Sequence, residues 1–119
     1  MSTKQDGDWG ESLVAEYLAA RGCRILEREW RCRFGEIDLI AEQNGTLLFV
    51  EVKLRTSLRY GAPREFVTAA KQKKLRAAAL LYLSQRDADV PARFDVAEVY
   101  TDAHHDPAHT RVVYLENVF

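Results

Sequence analysis

The chain has 119 residues, 47% hydrophobic and 29% charged, with a net charge of −1. That length suits one domain built on a single core of one sheet and two main helices, and the composition is ordinary for a soluble globular protein. The longest apolar run, Ala77 to Leu83, is far too short to cross a bilayer, and Met1 to Asp6 lacks the apolar core of a signal peptide. No membrane partner and a cytoplasmic location are therefore expected.

A first helix is expected from about Asp8 to Ala20, with Asp6 or Asp8 as N-cap and Gly22 at its end. Trp9, Leu13 and Tyr17 form an apolar stripe that Val14 and Leu18 widen. Glu11 points with that stripe or along its edge. In the first turn such a carboxylate can offset the helix dipole. A strand from about Cys23 to Trp30 follows. Cys23 and Cys32 lack the spacing of paired ligands and read as reduced thiols.

The next two strands, near Gly35–Glu42 and Thr46–Arg55, are joined by Asn44-Gly45, a strong hairpin signal because both residues accept positive φ. With those two as the loop, Gln43 faces Thr46, Asp38 faces Glu51 and Glu36 faces Lys53. Alternation puts Asp38, Glu51 and Lys53 on one face. Like charges opposed across a strand pair destabilise it, and apolar neighbours such as Ile37, Leu39, Phe49, Val50 and Val52 raise the cost. Such a pair must protonate, find a cation or face water; a hard divalent ion with oxygen ligands answers the charge directly. An acidic solvent-facing strand with Lys53 as surface partner is the plainer alternative.

Ser57 to Pro63 reads as a loop carrying Arg59, Tyr60 and Gly61, and a second helix is expected from Pro63 or Arg64 to about Gln85. Its inward stripe is Val67, Leu75, Ala78 and Tyr82. Lys71 lies within the stripe with Gln72 beside it, within expected reach of the strand bearing Glu51 and Lys53. Two last strands, Arg93–Tyr100 and Arg111–Val118, flank a loop with His104, His105 and His109. No fixed spacing there supplies a fourth zinc ligand, and Asp102, Asp106 and Pro107 indicate turn chemistry. Charge is segregated: Lys53 to Arg93 holds ten basic residues, Lys74 among them, against three acids. This suggests either a cationic face for a phosphodiester substrate or one solvated basic helix.

The order Asp38, then Glu51-Val52-Lys53, resembles the PD-(D/E)XK nuclease superfamily, whose proline is not matched. Gly35–Ala41, Phe49–Lys53, Tyr60-Gly61-Ala62-Pro63, Lys71 and Arg93-Phe94-Asp95-Val96 more closely resemble the YraN family, small bacterial proteins with a fold like the Holliday-junction resolvases. The similarity runs from about Gly10 to Val99. It implies an α/β, resolvase-like (restriction-endonuclease-like) domain of order αβββαββ over residues 1–119, with a central mixed sheet flanked by helices.

The resemblance further implies metal-dependent phosphodiester hydrolysis on DNA. Mg²⁺ or Mn²⁺ would be held by Asp38, Glu51 and the Val52 carbonyl, with Glu11 acting through water. Lys53 would orient the attacking water or stabilise the pentavalent state. Arg59, Lys71, Gln72 and Lys74 would meet the nucleic acid, and Tyr60 would stack on an unpaired base; Trp30 is better read as core. A homodimer is also implied, since resolvase-like relatives work as dimers. Glu29 departs from the asparagine that family members often carry. The competing expectations are a non-catalytic nucleic-acid-binding module and an adaptor to a larger DNA-processing protein.

Overall fold

The computed structural model describes residues 3–55 and 67–119. Seven main elements follow the expected order: α1 (Lys4–Ala20), β1 (Arg24–Cys32), β2 (Gly35–Gln43), β3 (Thr46–Arg55), α2 (Ala69–Gln85), β4 (Ala92–Tyr100) and β5 (Arg111–Leu115). The strands form a five-stranded sheet in the order β1-β2-β3-β4-β5. All neighbours are antiparallel except β3 and β4, which run parallel, as a strand pair bridged by a helix requires. The architecture is therefore α/β with a mixed sheet and two helices.

Each helix covers one face of the sheet. On one, Val14 and Leu18 of α1 pack with Leu39, Ala41, Leu48, Val50, Ala97 and Val99. On the other, Leu75, Ala78, Ala79 and Tyr82 of α2 pack with Ile40, Leu47, Phe49 and Val96. The central strands are buried on both sides, which explains the near-continuous apolar run Leu47–Val50. Trp30 meets Tyr82 edge to face at 5.1 Å, so it belongs to this core.

Three boundaries differ from expectation. The first helix begins at Lys4, capped by Thr3, whose hydroxyl accepts from Asp6 N while the Asp6 carboxylate accepts from Thr3 N. The second begins at Ala69, because Thr68 is extended (ψ 157°) and its side chain caps Lys71 N. The last strand stops at Leu115: Asn117 takes φ 53°, and Val118 N returns to the Phe94 carbonyl at 2.8 Å. The 101–110 loop contains a short 3₁₀ turn, Pro107–His109.

The hairpin register holds from Gln43↔Thr46 through Leu39↔Val50. There the ladder between β2 and β3 ends. Toward its start β2 pairs only with β1 (Ile37 with Trp30, Glu36 with Arg31), and from Glu51 onward β3 pairs only with β4. The expected facings of Asp38 with Glu51 and of Glu36 with Lys53 are thus not formed as ladder pairs; Glu51 stands opposite Val96 and Lys53 opposite Glu98 of β4. Alternation also slips at this point, since Ile37 joins the α2-side core with Ile40. Glu29, between Arg28↔Leu39 and Trp30↔Ile37, has φ 50°, a left-handed conformation uncommon for this residue type. Two neighbouring irregularities, at Glu29 and Asp38, open a fork in the sheet.

Candidate functional site

The fork collects the carboxylates. Asp38 sits where the ladder parts, and its Oδ2 accepts from Val52 N at 2.8 Å, satisfying a main-chain donor that the diverging strand no longer pairs. Asp38, Glu11 from α1 and Glu36 from β2 each offer an oxygen within 4.8 Å of the others. Burial pushes the Asp38 carboxyl up to about 7, reinforced by the charges of Glu51, Glu11 and Glu36 and opposed by the Val52 N–H. Burial likewise raises Glu11 to about 7, with the charges of Glu29, Glu36 and Asp8 adding to it and Arg28 opposing. Glu11 is only 8% exposed, and its Oε1 has no hydrogen-bond partner among the described residues. A buried, unpartnered carboxylate oxygen among other carboxylates is costly unless a cation or proton joins it.

Glu51 lies across the fork and is buried. Its Oε1 takes the Lys71 ammonium at 2.7 Å. Burial alone would lower the Lys71 pKa, but its hydrogen bond to Glu51 and the charges of Glu51, Asp38 and Glu36 leave it raised. Glu51 therefore feels Asp38 electrostatically while the three-oxygen group is completed by Glu36. Lys53 is half-buried on the same strand, and its ammonium makes no hydrogen bond or ion pair among the described residues. Val52 contributes its N–H to Asp38.

The basic residues divide. Arg55, Arg86 and Arg93 are engaged by Glu98, Glu27 and Asp95, and Arg76 lies over the rings of Phe94 and Phe119. Lys73 and Lys74 are exposed on α2. Lys74 and Lys71 border a cavity of about 80 Å³ whose other walls are Phe34, Gly35, Glu36, Leu75 and Ala78. Gln72 donates to the Val67 carbonyl at 2.9 Å, which commits its amide to the start of α2. Arg59 and Tyr60 lie outside the described residues.

Residues 10–99 match the uncharacterised protein family UPF0102. The chain belongs to that family. It is 52% identical over 98 residues to a UPF0102 protein of Symbiobacterium thermophilum, covering 82% of this chain and 83% of the relative. A UPF0102 protein of Clostridioides difficile is 42% identical over 101 residues (84% and 89% covered), and one of Nocardia farcinica 43% over 114 residues (95% and 87%). This is the family of the YraN-like proteins whose motifs the chain resembles.

In this UPF0102 chain Glu36 stands in the acidic group that sequence reasoning reserved for Asp38, Glu51 and Glu11. Its spacing from Asp38, two residues along one strand, was the available signal. Asp8, one helical turn before Glu11, and Glu29, at the irregular backbone, also approach Glu11. Two of the histidines meet acids, and His109 with Asp102 and Asp106 forms a further group whose ligand atoms lie within 4.8 Å of one another. His105 stacks on Trp9 at 3.8 Å and its Nε2 meets Asp6 at 3.1 Å, while His109 Nδ1 meets Asp102 at 2.6 Å. Asp102 also accepts from the backbone of His104 and Asp106, and its carboxyl is held down to about 2, chiefly by His109.

Proposed function

We propose that the fork is a divalent-metal site for phosphodiester hydrolysis on DNA, in a resolvase-like, PD-(D/E)XK-type setting. The observation that carries this reading is Glu11. It is buried, its Oε1 has no hydrogen-bond partner among the described residues, and one of its oxygens lies within 4.8 Å of oxygens of Asp38 and Glu36, a donor set that a hard cation fits. Asp38, Glu11 and Glu36 would hold Mg²⁺ or Mn²⁺, and Glu51 would join if Lys71 released it. Such an ion would supply a water of lowered pKa and neutralise charge on the scissile phosphate.

The remaining chemistry belongs to the side chains. Lys53 has an ammonium uncommitted to any described residue, and in this reading it faces charge that develops only in the transition state. Lys71 holds Glu51 and borders the cavity, so it would exchange a carboxylate for a substrate phosphate; Lys74 beside it would meet the next phosphate. The test is release of labelled fragments from branched, flapped and single-stranded DNA with Mg²⁺ or Mn²⁺. Wild type should cut, and Lys53→Ala should not, while keeping metal-dependent stabilisation. Folded wild type that binds metal and DNA but cuts none of these would remove the enzyme.

A non-catalytic DNA-binding module is the second reading. The 2.7 Å Lys71–Glu51 pair favours it, because an internal cation already occupies one expected ligand.

A further inference from the structure

Between the C-terminal end of α1 and the neighbouring parts of β4 and β5 lies a cavity of about 220 Å³. Pockets that enclose drug-sized molecules run to roughly 300–1,000 Å³, so an occupant here must be compact. The cavity is separate from the fork: Arg21, at its edge, follows Glu11 by roughly 15 Å along the helix axis. Its floor is apolar and buried, made by Leu18, Leu48 and the Cys23 thiol. Tyr17 of α1 and Tyr114 of β5 both border it and stack on each other at 5.7 Å, joining the helix to the sheet edge.

Two guanidinium groups reach this cavity from different layers of the fold. Arg93 of β4 is fixed, since its Nε donates to both oxygens of the buried Asp95 at 3.1 Å and its Nη2 lies 3.4 Å from Glu116. Arg21 is held by its own helix. Its Nη1 donates to the Tyr17 carbonyl at 3.1 Å, and the guanidinium lies 3.5 Å over the Tyr17 ring. Gln43 Nε2 donates to the Arg21 carbonyl at 3.0 Å, which ties that backbone to the end of β2. Arg21 nevertheless meets no carboxylate among the described residues, and most of its five N–H donors stay uncommitted. The Arg93–Asp95 pair is neutral, and the acid at the rim, Glu116, has a side chain 66% exposed and screened by water. Burial raises the Cys23 thiol, with Arg93 and Arg21 opposing and Asp95 and Glu116 reinforcing, so the floor carries no thiolate. The charge of Arg21 is left beside an apolar floor.

We propose that this cavity binds a small monocarboxylic acid with a compact apolar or aromatic body. The carboxylate pairs with Arg21 and with the N–H groups that Arg93 has left, because a guanidinium matches two carboxylate oxygens. The body covers Leu18, Leu48 and Cys23 and removes their remaining apolar surface from water. A head with a single charge suits the site; a phosphate monoester carries nearly two and would bring the second against Glu116. The site needs neither a metal nor any residue of the fork.

The test is titration of the isotope-labelled full chain with phenylacetate, followed by amide chemical shifts, with phenylethyl alcohol as an uncharged probe of similar shape. Phenylacetate should shift the amides of Leu18, Cys23 and Leu48 saturably, and the alcohol should bind about ten-fold more weakly. Arg21→Met should weaken phenylacetate by about ten-fold while amide shifts far from the cavity stay as they are, because this side chain is exposed. The two thiols give a second readout. Phenylacetate should slow modification of Cys23 by methyl methanethiosulfonate several-fold, read by mass spectrometry, while Cys32, which packs on the opposite face of the sheet, reacts at an unchanged rate. No saturable shift, equal affinity for the alcohol, or undiminished binding in Arg21→Met would overturn the proposal. So would phenylacetate that slows both thiols alike, or neither.

Discussion

Replacing Asp38 with asparagine should make the metal-free protein more stable at neutral and alkaline pH, even though it alters a residue at the centre of the site. The carboxyl is raised from 3.8 to about 7, first by burial and then by Glu51. Between those two values the folded chain keeps a proton that the unfolded chain releases. The unfolded state therefore binds fewer protons, and wild-type stability falls as pH rises through the window and is level above it. The shift is about three pH units at roughly 1.4 kcal/mol each, so the full penalty is on the order of 4 kcal/mol. Asparagine carries no such penalty and keeps an oxygen that can accept from Val52 N. Urea unfolding with chelator at several pH values from 4 to 8 gives the measurement. The advantage of Asp38→Asn should be near zero at pH 4, grow by about 1.4 kcal/mol per unit, and level off above pH 7. Wild type more stable than the variant at pH 8, or a difference independent of pH, would refute the reasoning.

Other outcomes follow from separate parts of the molecule. Asp95 is fully buried; Arg93 Nε donates to both of its oxygens at 3.1 Å, with Tyr114 Oη at 2.6 Å and Asn117 N at 2.8 Å. Asp95→Ala should cost about 3–5 kcal/mol in urea unfolding, whereas a loss under 1 kcal/mol would deny it the role of anchoring β5. On the DNA-binding reading, affinity at low salt should fall steeply as salt rises, and Lys74→Ala should weaken all sequences alike and flatten that slope by about one. Electrophoretic mobility shifts across a salt series decide it; salt-independent binding would favour the adaptor.

The hairpin was legible because its signals are local: Asn44-Gly45 fixes the turn, and period-two alternation then fixes the register as far as Leu39↔Val50. The fork was not. It depends on Glu29 adopting φ 50° opposite Asp38, and glutamate carries no sequence mark of that conformation. Once the strands part, neither Asp38–Glu51 nor Glu36–Lys53 forms a ladder pair, and Glu36 lies near Glu11 and Asp38 instead. The place of Glu11 was visible in the helical spacing, because a carboxylate at the edge of an apolar stripe has few bland explanations. The start of α1 was missed for a smaller reason: the capping aspartate Asp6 was read as the cap itself, while Thr3, three residues earlier, closes the box. The commitment of Arg55, Arg86 and Arg93 to internal acids could not be counted from charge totals. It comes from strand and helix neighbours distant in sequence.

The most direct test of the account is anomalous diffraction from crystals of the full chain soaked in Mn²⁺. The account predicts a peak in the fork bonded at roughly 2.1–2.3 Å to oxygens of Asp38 and Glu11, with Glu36 or Glu51 completing the ligand set. A fork without a peak in fully soaked crystals, with Glu11 Oε1 bonded only to a proton or water, would contradict it.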